Sequence, residues 1–586
     1  MHDDILETGI QRPGRYIGRE WNSVHKDFDS CAVRVVLCFP DLYEVGMSNL
    51  GVRILYGIIN NLPYALCERA FAPAIDLEQA LRAHNRTLWS LESRRPLHEF
   101  DIVGFSLGHE LCYTNVLTML ETGGIPLYAH DRDGSHPLII GGGPCMMNPE
   151  PMHAFFDLFV IGEAEEAMVQ IAAEYRAARQ ALRQGSLSRS DLLAALARIE
   201  GVYVPSFYEA SYLSSGGCAS FEPRRAGLPR RIRKRFVSDL EAAYFPVDWL
   251  VPYIQTVHDR VTVEIMRGCP NSCRFCQGRA QYYPLRIRKA STVVSLARQA
   301  ISCTGYEEVA LGGLSVSDYP HLAEVLVPLI AEYRGKGVGV SLASLKPKAM
   351  LGELASLIAG IKKTGLTFAP EAGTKRLRAL LGKEFDEGDF FATVEAAYRS
   401  GYQHVKLYFL IGIPTEQDAD LQAIIDFAAK TSELRRKVLG RPAEVHLSVN
   451  GLIPKPHTSF QWCAMASPDA LARAQGFLRD AAKKNRRLRI SFHHREMSFL
   501  EGVLSRGDRR LSGAIARAYA LGARFDAWDE HFDLGRWQKA FADNGIAPYY
   551  YLQGFDPVGL LPWDFLDLGV SQDSLREEFI KHIAIK

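Results

Sequence analysis

The sequence predicts an α/β protein built from two parallel-stranded units and a helical end. Three observations carry this prediction. Short apolar runs that close on glycine alternate with helical stretches over residues 1–200, the pattern of a doubly wound parallel sheet. The alternation breaks at a basic, turn-rich segment (201–260) and resumes with six further strands over 261–465, as a partial parallel barrel requires. From 466 to 586 the periodicity is mostly helical. At 586 residues the chain exceeds the roughly 250–300 residues that one hydrophobic core serves, so several domains are expected.

Taken in order, "RVVLCFP" reads as a buried strand and "SNLGVRILYGIIN" as the helix after it. "DLEQALRAHN", "DIVGFSLG", "LCYTNVLTMLETG", "PLIIGGG" and "DLFVIGEAEEAM" continue the alternation. Ligands of such sheets bind beyond the carboxyl ends of the strands, here the loops "PDLYEVG", "SLGHE" and "GGGPC". "VYVPSFYEASYL" alternates like a strand and opens a bridging ribbon. The barrel strands are "VTVEIMRG", "EEVALGG", "VGVSLAS", "LTFAP", "HVKLYFLIGI" and "EVHLSVNGLIP", with helices between them.

With 47% hydrophobic and 23% charged residues the chain is that of a globular protein. A net charge of +1 offers no global field for nucleic acid or membrane. The polar start "MHDDILETGIQRPGRY" lacks the apolar stretch of a signal peptide, and no apolar run approaches the length of a membrane span. Eleven scattered cysteines suit a reducing compartment, and a cytoplasmic location is expected.

"EIMRGCPNSCRFCQGR" concentrates the chemistry. Cys269, Cys273 and Cys276 lie within eight residues, and His258 is the one other Cys or His nearby. A structural zinc site closes with four protein ligands, so a zinc reading would need a remote fourth. Three thiolates can instead hold three irons of a cubane cluster and leave the fourth open to a small molecule. The loop resembles that of the radical S-adenosylmethionine (SAM) superfamily, CxxxCx-aromatic-C, with Phe275 as the aromatic. The resemblance implies a four-iron four-sulfur cluster whose open iron is chelated by SAM and whose electron generates a 5′-deoxyadenosyl radical. It also implies SAM contacts elsewhere. Gly312 and Gly313 stand where the family has Gly-Gly-Glu, with Leu314 in place of the acid. Glu371 and Arg376 of "FAPEAGTKRLR" match an acid for the ribose and a guanidinium for the carboxylate. The ordinary reading of that stretch is a helix N-terminus with a favourable acid. Ile413 and Pro414 of "LIGIPTE" fall beside the adenine, and Ser344 of "LASLKP" near the ribose.

Over nearly its whole length the chain resembles an uncharacterised family of radical SAM proteins with a flavodoxin-like, cobalamin-binding-type N-terminal domain. "RPGRYIGREWNS", "FPDLYEVGMSNLG", "GGGPCMMNPEPM", "IGEAEE" and "SRGDRR" carry that resemblance. It implies a cobalamin contact from Asp41, Tyr43 and Gly46, where Tyr43 replaces the usual histidine ligand, and others from Ser106, Gly141, Gly142 and Gly143. A phenol is a poor ligand at neutral pH, so cobalamin would bind without a protein imidazole below it. The same glycines also suit the turns of any doubly wound domain. Cys38, Cys112 and Cys145 offer a competing second cluster, although buried free cysteine is common in cores.

The expected reaction is cobalamin-dependent methyl transfer to an unactivated carbon. The alternatives are radical rearrangement, oxidation or sulfur insertion, with a vestigial or second-cluster N-terminal domain, or an RNA-associated binding protein with a structural cluster. The expected electron donor is a flavodoxin or ferredoxin. Two basic blocks, Arg224 to Arg235 and "KKNRRLRISFHHR", admit RNA or a ribonucleoprotein as partner, with solvated surface as the plainer reading.

Overall fold

The computed structural model describes residues 3–6, 9–342 and 366–584. The first unit is a six-stranded sheet: β1 (Val33–Phe39), β2 (Ala65–Phe71), β3 (Ile102–Ser106), β4 (Leu138–Gly142), β5 (Leu158–Val160) and β6 (Val202–Tyr203). The order is β2-β1-β3-β4-β5-β6, with the first five parallel and β6 antiparallel. This is the doubly wound order whose switch point lies between β1 and β3. β2 did not stand out in the sequence because "ALCERAF" carries two charges, yet all seven residues are buried. Arg69 sits there between Glu20 (2.8 Å) and Glu92 (2.6 Å), so its charge is compensated within the core.

The second unit is a parallel half-barrel. Val261–Glu264, Glu308–Gly312 and Gly339–Leu342 form one sheet. Leu366–Glu371, His404–Ile411, Glu444–Gly451 and Leu488–Phe492 form the other. All six strands read from the sequence are present. Leu488–Phe492 is a seventh, so the parallel sheet runs on past residue 465 into the stretch expected to be helical. Its alternation (Leu488, Ile490, Phe492) is set within a basic block that obscures it. The helices Arg495–Ser505, Leu511–Ala520, Leu534–Asp543 and Gln572–His582 follow. No described helix is long and apolar enough to cross a membrane.

The ribbon between the units is the antiparallel pair Tyr208–Tyr212 and Cys218–Pro223. Its basic run meets acids of the same chain: Arg224–Glu209 (3.0 Å), Arg230–Glu222 (3.2 Å), Arg233–Glu200 (3.5 Å) and Arg235–Glu166 (2.6 Å). Lys234 is buried and donates to the carbonyls of Ala280, Gln281 and Tyr283. Lys234 and Arg235 thus turn inward, while Arg224, Arg230 and Arg233 stay exposed on the surface.

Three polar ties hold the units together. Arg267 of the barrel pairs with Glu163 (2.9 Å) and Glu165 (2.6 Å) of the first unit and with Glu264 (2.9 Å), while Arg286 takes Glu163 from its other side (2.7 Å). Asn148 of "GGGPCMMNPEPM" donates to Ser505 O and Gly507 O of "SRGDRR", and Arg509 pairs with Glu150 at 2.6 Å. Lys455 lies between Glu110 (2.9 Å) and Glu501 (2.7 Å).

Replacing Arg267 by Met leaves three carboxylates without their shared cation. The expected loss is roughly 3–5 kcal/mol, read as a fall in the thermal midpoint, because unpaired buried charge is strongly destabilising. Burial alone would raise the Glu163 carboxyl, but Arg286 and Arg267 outweigh it and hold it below its ordinary value. Its folded pKa is depressed, so its stabilisation is present above the ordinary Glu range of about 4.3 and is lost as pH falls through the folded value. The Arg267→Met penalty should therefore shrink in acid. A penalty that stays constant as pH is lowered from 7 through the folded Glu163 value, below the ordinary Glu range, would contradict this account of the network.

Candidate active site at the barrel mouth

The cysteine loop begins two residues after Arg267. Gly268 turns the chain at φ 93, and a Cβ there would lie 2.8 Å from the Tyr282 carbonyl oxygen, so only glycine fits. Cys269, Cys273 and Cys276 are free and partly accessible. Asn271 donates to Cys269 Sγ at 3.5 Å and to Asp318 Oδ2 at 2.7 Å. The Arg279 backbone N–H donates to Cys276 O at 3.2 Å, and burial pushes the Cys276 thiol up against the pull of the Gly278 and Arg279 amides. Burial pushes the Cys273 thiol up to about 11, against the pull of the Lys383 ammonium. Among the described residues no three Cys, His, Asp or Glu side chains converge on a single ion. A cubane does not ask them to, because each cysteine bonds a different iron.

The loop is clamped on several sides. The Arg274 backbone N–H donates to Leu381 O (2.9 Å) and its guanidinium to Ala379 O (2.7 Å), capping the helix Lys375–Leu381. Arg279 makes a two-pronged pair with Glu578 of the final helix, both contacts at 2.9 Å. Phe275 packs into the apolar cluster that holds Ala372, Leu377 and Leu380.

The expected SAM contacts are distributed unevenly. Gly312 and Gly313 sit at the end of the second barrel strand and line a cavity there, as does Leu314. A Cβ on Gly313 would lie 2.7 Å from Met266 Cγ, which explains the glycine. Glu371 ends the fourth strand after a register shift, in the left-handed region at φ 66, an unusual conformation for a non-glycine residue. Burial raises its carboxyl, and Lys383 opposes this from 2.7 Å. Arg376 turns elsewhere: it donates to Thr415 Oγ1 (2.9 Å) and Thr415 O (3.0 Å) and pairs with Asp420. Glu371 and Arg376 thus share a segment while their charged ends have different partners. Ile413 is buried in the cluster with Phe460, and Pro414 follows it. Next to them the Glu416 carboxyl is pushed up to about 7 by burial while accepting from the Gly412 N–H. Ser344 lies outside the described residues.

The cavity, about 450 Å³, runs between the two units. Its wall in the first unit includes Leu37 of β1, Gly104 and Ser106 of β3 and Gly141, Gly142 and Gly143 at the end of β4. Opposite stand Met266, Gly268, Tyr282 and Gly312 to Leu314 of the barrel. A Cβ on Gly142 would meet nothing within 4 Å, so glycine there leaves open space.

Asp41, Tyr43 and Gly46 do not line this cavity. Asp41 accepts from the Trp528 indole at 3.0 Å. Tyr43 is buried, donates to Glu20 at 2.9 Å and packs edge-on against Phe71, while Gly46 is pressed against the same ring. Cys38, Cys112 and Cys145 are likewise buried off the cavity, where burial pushes each thiol up. Lys383, Asn271, Asp318 and Arg267 were not picked out in the sequence, because their roles depend on partners that only the fold supplies.

The joint substitution of Cys269, Cys273 and Cys276 by Ala should abolish the visible absorption of reconstituted protein and its bound iron, about four per chain in the parent. Iron retained by the triple variant at the parent level would place the cluster elsewhere.

Residues 51–205 match the family described as radical SAM proteins, N-terminal, and residues 263–428 match the radical SAM superfamily. An uncharacterized protein of Methanocaldococcus jannaschii is 27% identical over 513 residues, covering 87% of this chain and 97% of the relative. Among solved structures, the radical SAM methyltransferase TsrM from Kitasatospora setae, with cobalamin and a 4Fe-4S cluster bound, is 14% identical. The match covers 71% of this chain and 74% of that one, at a TM-score of 0.48. The cobalamin-dependent SAM radical enzyme OxsB, with aqua-cobalamin and SAM bound, is 10% identical over 89% of this chain and 79% of its own, at a TM-score of 0.47. With both of its α/β units matched and three cysteines at the barrel mouth, the chain belongs to the radical SAM superfamily and is an enzyme whose cofactors are a four-iron four-sulfur cluster and SAM.

Proposed function

We propose that the enzyme also binds cobalamin and transfers a methyl group to an unactivated carbon. One observation carries this reading: a single cavity opens both on the carboxyl ends of β1, β3 and β4 and on the barrel strand ends beside the cysteine loop. It lies at the switch point of the doubly wound sheet, where ligands of such sheets bind. Gly104, Ser106 and Gly141 to Gly143 would hold the corrinoid, with Gly142 leaving room that any larger side chain would fill. The described residues lining the cavity include no histidine, and Tyr43 is committed to Glu20. No protein imidazole from this lining would meet a corrinoid held there.

When bound, the cluster and SAM supply a 5′-deoxyadenosyl radical and cobalamin supplies the methyl group. The chain's own part is positional. Cys269, Cys273 and Cys276 would hold the cluster, the Gly312–Gly313 backbone would admit close approach, and Glu371 at the end of the fourth barrel strand would offer a carboxylate acceptor. Leu37, Leu50 and Met168 help keep water from the slot. A flavodoxin- or ferredoxin-type donor in the cytoplasm would deliver the electron.

Anaerobic purification with cobalt, iron and sulfide quantitation tests the proposal. The expected result is about one cobalt per chain with a base-off spectrum that Tyr43→Phe leaves unchanged. Gly142→Leu should abolish corrin binding while about four irons remain. Protein with about eight irons and no corrin would instead support a second cluster.

A further inference from the structure

The inner face of the half-barrel is polar where a closed barrel would be filled with apolar side chains. In the four-stranded sheet, the apolar alternates Val405, Leu407 and Phe409, and Val445, Leu447 and Val449, are buried in the core with the covering helices. Strand side chains alternate between faces, so the residues between them point away from those helices. Strand pairing sets these residues in rows. Thr367, Lys406, His446 and Arg489 form one row, Tyr408, Ser448 and Ser491 the next, and Leu410 and Asn450 a third. Leu410 packs against the same apolar cluster as Phe275 of the cysteine loop. The face therefore leads from the basic row to the loop, and four residues of strand make that a climb of about 13 Å.

The basic row brings three basic side chains together on adjacent strands, and like charges side by side there cost stability. Among the described residues the Lys406 ammonium meets no carboxylate and lies 4.8 Å from the centre of the Tyr408 ring. Arg489 reaches Glu444 at 3.7 Å, but both side chains are exposed, at 68% and 46%, and such a pair contributes little. His446 is exposed although its strand has neighbours on both sides, and its Nε2 contacts Ser491 Oγ at 3.1 Å. Burial and the Lys406 ammonium hold its ring below the ordinary value, against Glu444, so the ring is neutral at pH 7.

Two fixed cations beside a neutral ring and a hydroxyl match a phosphate group. A phosphate monoester has three free oxygens and two charges, enough to take both cations and still accept from a neutral donor, whereas one guanidinium serves a carboxylate. Lys406 and Arg489 stand two strand spacings apart, about 10 Å, a gap that two long side chains can close on one group. We propose that this inner face binds the phosphate end of an elongated substrate, with Lys406 and Arg489 as its cations and His446 and Ser491 as its neutral partners, while the rest of the molecule runs past Tyr408 and Asn450 toward the cysteine loop. The inference rests on the radical site assigned to that loop and names a substrate class for the proposed reaction.

Inorganic phosphate is the probe, followed by phosphorus NMR line broadening on the anaerobically reconstituted full chain at constant ionic strength. The parent should broaden the phosphate line saturably. Lys406→Met and Arg489→Met should each weaken binding by about tenfold or more, the size of a lost charge-assisted contact, with about four irons still bound. Lys406→Arg should stay near the parent. Because the empty row repels itself, Lys406→Met should also leave the thermal midpoint unchanged or higher; a marked fall, or failure to fold, would make the lysine structural and overturn the proposal. Phosphate binding that survives both substitutions overturns it. So does a parent that takes up a single-stranded oligoribonucleotide but no phosphate, a result that favours a polynucleotide surface. Normal phosphate binding by a protein that holds no cobalt would sink the methyl-transfer reading and leave the phosphate site standing, whereas a cobalt-loaded enzyme blind to phosphate would sink the site alone.

Discussion

The architecture turns on Arg267. One guanidinium gathers Glu163 and Glu165 from the doubly wound unit and Glu264 from its own strand, and the first cluster cysteine follows two residues later. The tie that sets how the two units meet thus also anchors the entry to the cysteine loop. Removing charges from water is costly, and the geometry here is dense enough to offset it: Arg286 donates to both oxygens of Glu163 and also to Val237 O. Because the cavity lies between the units, its shape depends on this network more than on either hydrophobic core.

Around the loop the chain uses cations bonded to backbone carbonyls. Arg274 caps one helix, and Lys234 gathers three carbonyls just past Cys276. Carbonyls orient these groups without cancelling their charge as a carboxylate would. Burial lowers Lys234 to about 8, so its charge is less secure than that of an arginine. A loop destined to carry a negatively charged cluster is therefore surrounded by fixed positive ends, with Glu371 and Glu578 as the acids that balance them.

Much of this was legible in the sequence because it depends on local pattern. Cysteine spacing locates the loop, and glycine at strand ends marks Gly141 to Gly143 and Gly312–Gly313 as places of close approach. Apolar runs mark the six barrel strands and most of the first sheet. The rest depends on partners far along the chain. Ala65–Phe71 escapes because Glu68 and Arg69 interrupt its apolar run, and their burial depends on distant partners, Glu20 and Glu92 for Arg69 and Ser93 for Glu68. Leu488–Phe492 is hidden by flanking arginines. Arg376 has the right type and spacing for a carboxylate ligand, and in the fold it pairs with Asp420 of the helix Asp418–Leu439, beyond the fifth barrel strand. Tyr43 occupies a ligand's position in the loop pattern, but Glu20 and Phe71 hold it in the core.

The clamp between Arg279 and Glu578 joins residues 299 positions apart. On a translating ribosome at about 5–20 residues per second, the acid is made roughly 15–60 s after the loop. Throughout that interval the three cysteines emerge without their final brace, alongside barrel strands that are still arriving. Delivery of iron and sulfide before the brace closes would meet an open loop, and delivery afterwards a clamped one. The distance between two residues in sequence thus becomes a window in time, within which the thiols are either loaded or left to oxidise.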